Sequence, residues 1–109
     1  MTQLVKGVVP TAFAICAIAS GVQAAETIID QKDRKFVPSS VTIHVGDAVR
    51  FTNSDMYHHD VTIIRPDGTP DDKGLEEHGE EFAMTFIKPG TYKVRCRLHP
   101  FMAATIIVK

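Results

Sequence analysis

Cys96, His99 and Met102 stand three residues apart near the end of a chain of 109 residues. In the run Cys96-Arg97-Leu98-His99-Pro100-Phe101-Met102 they bring a thiolate, an imidazole and a thioether. Residues so spaced can turn toward one point in a tight loop, whereas an extended strand would alternate their directions. Pro100 limits the backbone in the middle of that loop. Thiolate and thioether together favour soft copper, and imidazole suits copper in both oxidation states. A set of two imidazoles, one thiolate and a weak axial thioether belongs to copper sites that transfer electrons. The loop supplies one imidazole only, so the second must come from elsewhere.

His44, His58, His59 and His78 are the candidates. His59 is the best placed. It opens the β-branched run Val61 to Ile64, and with period 2 it shares a face with Val61 and Ile63, toward a core. His58 then points the other way unless a bulge intervenes. His44 reads as a surface residue of its strand. His78 falls in an acidic stretch, where a solvated side chain is the simpler reading. Other chemistries fit the loop less well. Structural zinc wants four strong ligands, commonly with more than one Cys. A cysteine nucleophile wants a base and an oxyanion pocket, often at a helix N-terminus, and no helix is predicted near Cys96.

The elements that must hold these residues are strands. Glu26 to Ile29, Val41 to Val45, Val49 to Asn53, Val61 to Ile64, Phe82 to Phe86, Tyr92 to Cys96 and Thr105 to Val108 read as short strands, several with alternating apolar and polar residues. Gly46-Asp47, Pro66-Asp67-Gly68 and Lys88-Pro89-Gly90 are turn signals between them. The expectation is an all-β antiparallel sandwich or barrel. Pro66 to Glu81 is the one long segment without a pattern, and it carries Asp71, Asp72, Glu76 and Glu77. It is expected to be a solvated loop, with an acidic docking surface or weak cation site as the functional alternative.

Residues 1–24 are set apart from that pattern. Lys6, the apolar run Val8 to Ile18 and the small residues around Ala24 have the form of a secretory signal peptide. The run is too short to span a bilayer, which takes about 20 apolar residues. The domain is therefore expected over residues 25–109. Removing the leader takes away Cys16 and leaves Cys96 as a lone thiol in an exported chain. Such a thiol has no internal partner and is open to oxidation, so metal ligation gives it a reason to exist. The whole chain has a formal charge of −1, which offers no basic surface for nucleic acid. About 85 residues make a small core, and a metal that joins distant segments would help it.

The mature chain resembles the cupredoxins, the small blue copper proteins of the plastocyanin, pseudoazurin and amicyanin group. The likeness runs through Phe36-Val37-Pro38, Val45 to Asn53, His59-Asp60-Val61, Phe86 to Tyr92 and the Cys96 loop. The short loop is most similar to that of amicyanin. The resemblance implies a Greek-key β-sandwich of about eight strands holding one type 1 copper. By matching positions, His59, Cys96 and His99 would be the strong ligands and Met102 the weak axial one. It implies a monomeric, periplasmic one-electron carrier rather than an enzyme, with no membrane contact once the leader is cleaved. Electrons would leave at the His99 edge toward transient redox partners, such as a c-type cytochrome or an amine dehydrogenase. The alternative is a periplasmic copper-binding protein for copper tolerance or delivery. Two departures stand beside the site. Asp60 replaces the usual Asn, and Arg97 and Leu98 replace the usual Thr or Ser and Pro. An Asp60–Arg97 ion pair is expected to take over from the neutral hydrogen bond.

Overall fold

The computed structural model describes residues 24–109, so the expected signal peptide lies outside the described residues except for Ala24. Nine strands follow one another: β1 (Glu26–Lys32), β2 (Lys35–Val37), β3 (Ser40–Ile43), β4 (Ala48–Asn53), β5 (His59–Ile64), β6 (Pro70–Glu76), β7 (Glu81–Thr85), β8 (Gly90–Arg95) and β9 (Ala103–Val108). They form a sheet of order β2-β1-β4-β7 and a second of order β3-β9-β8-β5-β6. The all-β sandwich expected from the strand pattern is present, and no helix occurs among the described residues.

Three points differ from the sequence reading. Two pairings, β1 with β4 and β3 with β9, are parallel. A parallel pair needs a long crossover, and here the chain visits other strands before returning to the same sheet. The segment read as an irregular acidic loop contains β6, which pairs antiparallel with β5 at the sheet edge. Its polar sequence, Pro70-Asp71-Asp72-Lys73-Gly74-Leu75-Glu76, hides it from a hydrophobic pattern, yet polar edges are how sheets avoid pairing with other chains. The third is β2. It is three residues long and closes a hairpin with β1 through Asp33 and Arg34, both left-handed at φ 53° and 56°. Two consecutive left-handed residues match the tight hairpin turn that favours strand twist.

The core lies between the sheets. Ile29, Val49, Phe51, Val61, Ile63, Val94 and Ile106 are fully buried. Period 2 explains which residues face it. Phe51 and Val49 alternate inward on β4, Tyr92 and Val94 on β8, and Ala104, Ile106 and Val108 on β9. Extending the phase of β8 by one step places Cys96 inward. Extending β9 backward places Met102 inward, and both are buried. Strand β5 starts on His59, and His59 to Ile63 are all buried, so burial along β5 does not alternate; its register with β6 shifts between Asp60 and Thr62. Strands β9, β8 and β5 are neighbours, with Arg95 opposite both Ala103 and Thr62. The start of β5, the end of β8 and the start of β9 therefore meet at one end of the sandwich.

Candidate metal centre

At that end the loop from Cys96 to Met102 is two linked turns. The His99 N–H donates to the Cys96 carbonyl at 3.2 Å, and the Met102 N–H donates to the His99 carbonyl at 2.8 Å. The three-residue spacing read from the sequence is thus the reach of a β-turn, used twice. Cys96 Sγ lies 3.9 Å from His59 Nδ1 and 3.7 Å from His99 Nδ1, and the two ring nitrogens are 3.1 Å apart. Among the described residues, this is the group of three metal-ligating side chains whose donor atoms fall within 4.8 Å of one another. Met102 is buried one residue before the start of β9. His58 and His44 are exposed. His78 is not merely solvated, because its Nδ1 stands 2.9 Å from the Asp55 carbonyl oxygen.

The His59 ring is held from behind. Its Nε2 is 2.7 Å from Asp55 Oδ2. A carboxylate accepts, so Nε2 carries the proton and Nδ1 presents its lone pair to the cluster. Asp55 is itself fixed by backbone. The Asp33 N–H donates to Oδ1 at 2.7 Å and the Arg34 N–H to Oδ2 at 2.9 Å. The left-handed pair in the β1–β2 turn thus forms a small anion nest. Burial alone would raise the Asp55 carboxyl, but the Arg34, His59 and Asp33 hydrogen bonds outweigh it and hold it below its ordinary value. Asn53 Oδ1 accepts the Asp55 N–H at 2.9 Å. Desolvation, then the neighbouring His59 ring, holds the His99 imidazole below its ordinary range and favours its neutral form.

The donor chemistry fits a metal. His59 Nδ1 is a lone pair aimed at a second ring nitrogen 3.1 Å away, with a sulfur near both. Such converging electron-pair donors repel unless a proton or cation lies among them. One thiol and two imidazoles, with the buried Met102 three residues after His99 in the same loop, favour copper over zinc or hard cations.

Residues 23–109 match the family described as copper binding proteins, plastocyanin/azurin family. The chain belongs to that family. Among curated relatives it is 33% identical to a chloroplastic plastocyanin of Silene latifolia subsp. alba, over 85% of this chain and 64% of the relative. The chain thus spans under two thirds of that plastocyanin's length. It is 31% identical to amicyanin-alpha of Methylorubrum extorquens over 79% of this chain and 74% of the relative. It is 26% identical to amicyanin of Paracoccus denitrificans over 89% and 72%. Among solved structures, a Cu(I) amicyanin variant superposes with a TM-score of 0.71 at 22% identity, covering 76% of this chain and 81% of that one. A reduced amicyanin variant gives 0.70 at 23% identity over 84% and 86%. This cupredoxin therefore resembles amicyanin in sequence and in fold.

Two neighbours of this cupredoxin's sulfur were legible as departures from the family pattern. The Asp60 N–H donates to Cys96 Sγ at 3.3 Å. Its carboxylate Oδ1 accepts from the Thr62 hydroxyl at 2.7 Å and from the Arg97 N–H at 3.3 Å. Asp60 thus fastens the loop through backbone. The expected ion pair is looser than anticipated: Arg97 Nε is 3.7 Å from Asp60, while its Nη2 is 2.6 Å from Asp72 on β6. The guanidinium is drawn outward because Asp72 is more exposed than Asp60 and costs less to approach. Asp60, whose N–H meets the sulfur, keeps a buried carboxyl bonded to the backbone of the Cys96 loop. In the copper-loaded protein, Asp60→Asn is expected to raise the reduction potential by on the order of 50 mV, about 1 kcal/mol for one electron. Removing a negative charge disfavours the more positive oxidised centre. Protein-film voltammetry of the two proteins reads this directly. Equal potentials would mean that the Arg97 guanidinium already cancels the Asp60 charge.

Proposed function

We propose that the protein is a periplasmic one-electron carrier whose single type 1 copper is held by His59, Cys96, His99 and Met102. The convergence of the His59, Cys96 and His99 donors at the meeting ends of β5, β8 and β9 carries this reading. Copper supplies one-electron chemistry between its two oxidation states when bound. The chain's own groups do the rest. The sheet and the two-turn loop keep the donors in place, so little rearrangement accompanies a change of charge. Asp55 sets the His59 tautomer, and the Asp60 N–H hydrogen-bonds the sulfur. The four donors leave no open position for a substrate, so the reading is a carrier rather than an enzyme.

The way out is the His99 edge. His99 shares a cleft with Met56, Tyr57, His58 and Leu98. Around it Met56 is 80% exposed, Tyr57 53%, Leu98 48% and Phe101 72%. An apolar rim of this kind suits brief docking through a small interface. The partners would be redox proteins, a c-type cytochrome or an amine dehydrogenase, meeting a monomer. Export would use residues 1–24 as the signal peptide and leave residues 25–109 as the domain. A second reading, copper tolerance or delivery, is favoured by one observation: His58 and Met56 also line a cleft with His78, Glu77 and Glu80.

A copper titration followed by absorbance, with stopped-flow self-exchange, tests the reading. One tight copper with intense thiolate-to-copper absorption and fast self-exchange is expected. Cys96→Ser should abolish that absorption and His58→Ala should retain it. Coloured copper surviving in His59→Ala would overturn the ligand set. Slow self-exchange with more than one tightly bound copper would move the assignment to copper handling.

A further inference from the structure

Among the described residues, a second place outside the His59–Cys96–His99 group gathers metal-ligating side chains of several kinds. It is a cleft of about 380 Å³ lined by Met56, His58, Glu77, His78 and Glu80. All five are exposed. His78 is oriented within it. Its Nδ1 is 2.9 Å from the Asp55 carbonyl oxygen, and a carbonyl only accepts. Nδ1 therefore carries the proton and Nε2 keeps the lone pair, the arrangement that fixes ligating histidines elsewhere. Glu80 Oε1 accepts the Glu77 N–H at 2.7 Å, which ties the two acids into one turn. Imidazoles and carboxylates together bind Cu(II) ahead of the other common divalent ions.

The cleft has a neighbour. Met56 and His58 line it on one side and, on the other, line the cleft that contains His99. The same two residues thus face both places. The ligand atoms are not drawn together within 4.8 Å as they are in the main group. Closing on an ion would need exposed side chains to be ordered, which costs conformational entropy. A site of this kind binds weakly and releases quickly.

We propose that His58, His78, Glu77 and Glu80 form a second, weaker Cu(II) site that captures copper and hands it to the main centre past the His99 edge. The transfer is a ligand exchange without change of oxidation state. Imidazole and carboxylate leave the ion, His99 and then Cys96 take it up, and the Cys96 thiol proton goes to solvent. The capture site does not rest on the electron-carrier reading, and its failure would leave that reading untouched.

The test uses the full domain with one equivalent of copper already in the main centre. A second equivalent of Cu(II) is added and followed by electron paramagnetic resonance and equilibrium dialysis. The expected result is a second signal of ordinary Cu(II) with nitrogen ligands, alongside an unchanged thiolate absorption. The double variant His58→Ala/His78→Ala should lose at least tenfold in affinity for that second ion, whereas His44→Ala should not. With copper-free protein at limiting Cu(II), the thiolate absorption should appear several-fold more slowly in the double variant and reach the same final height. No second copper, or a second copper that the double variant keeps, overturns the site. A second copper lost in the double variant with an unchanged loading rate overturns the hand-over.

Discussion

Above pH 7 the Glu76→Gln protein is expected to be more stable than the wild type, by on the order of 3 kcal/mol. Glu76 is 3% exposed and lies opposite His59 in the β5–β6 ladder. Gln31, fully buried on β1, donates its Nε2 to Glu76 Oε1 and to the Thr52 carbonyl. Gln31 Oε1 and Glu76 Oε2 are left as buried acceptors without a partner. A proton on Glu76 turns one of these two unpartnered acceptors into a donor. Desolvation drives the change, Glu80, Glu81 and Asp30 add repulsion, and the Gln31 bond only partly offsets them, so the carboxyl is pushed up from 4.5 to about 7. The folded state then binds a proton that the unfolded chain has released between those two values. The resulting stability is complete below about pH 4.5, falls as pH rises through 7 and stays lost above it. Gln has the same shape, carries an amide donor and never ionises. Urea denaturation of metal-free protein at pH 5 and pH 8 is the measurement. Wild type and variant should agree at pH 5 and diverge at pH 8. Parallel profiles would mean that Glu76 is already ionised and hydrated in the folded state.

Glu76 also marks where sequence reading stops. On β6 the apolar Leu75 is 63% exposed and Glu76 faces inward. The polarity of this edge strand is the reverse of what a hydrophobic pattern reports, so a polar loop was the only reading open. The Cys96 loop was legible for the opposite reason. Its chemistry lies within one short turn, and the spacing that suggests ligation is also the spacing of the turn. His59 was legible because the apolar run Val61 to Ile64 extends back to it as one buried strand, although Asp60 and Thr62 are buried there as well. Asp55 was not. Its surroundings, Asn53-Ser54-Asp55, carry no period, and its role depends on the amides of Asp33 and Arg34, contributed from a distant hairpin. That hairpin lacks the Asn-Gly or Asp-Gly pair that announces such turns, and β2 is too short to show a pattern. The sequence exposes what is local or periodic. It conceals groups whose meaning comes from a partner brought up by the fold.

Asp55 is the position where that hidden layer should cost the most when removed. Asp55→Ala is expected to weaken copper binding by about ten- to a hundredfold, the usual effect of losing the group behind a ligating histidine. It should also destabilise the metal-free fold by about 2–4 kcal/mol. The two losses have separate causes. Without the carboxylate, His59 Nε2 loses its 2.7 Å partner, and the proton that keeps Nδ1 free is no longer pinned to the far side of the ring. The Asp33 and Arg34 amides lose their acceptor while their backbone stays left-handed. Asp55→Asn separates the causes in part: Oδ2 alone accepts from both the His59 ring and the Arg34 N–H, so one amide oxygen in its place keeps those two bonds and loses the acceptor of the Asp33 N–H. Chelator competition reads the copper affinity, and urea denaturation of the metal-free proteins reads the fold. A variant that lost stability but bound copper as tightly as the wild type would show that the sheet and loop alone orient His59. The wild-type Asp55 contribution has its own pH signature. Its carboxyl is held below the ordinary value of 3.8, so the stability it brings is present above that pH and drains away as pH falls through it. Acid should therefore loosen the His59 side of the site, while the stability tied to Glu76 is lost in the opposite direction, as pH rises.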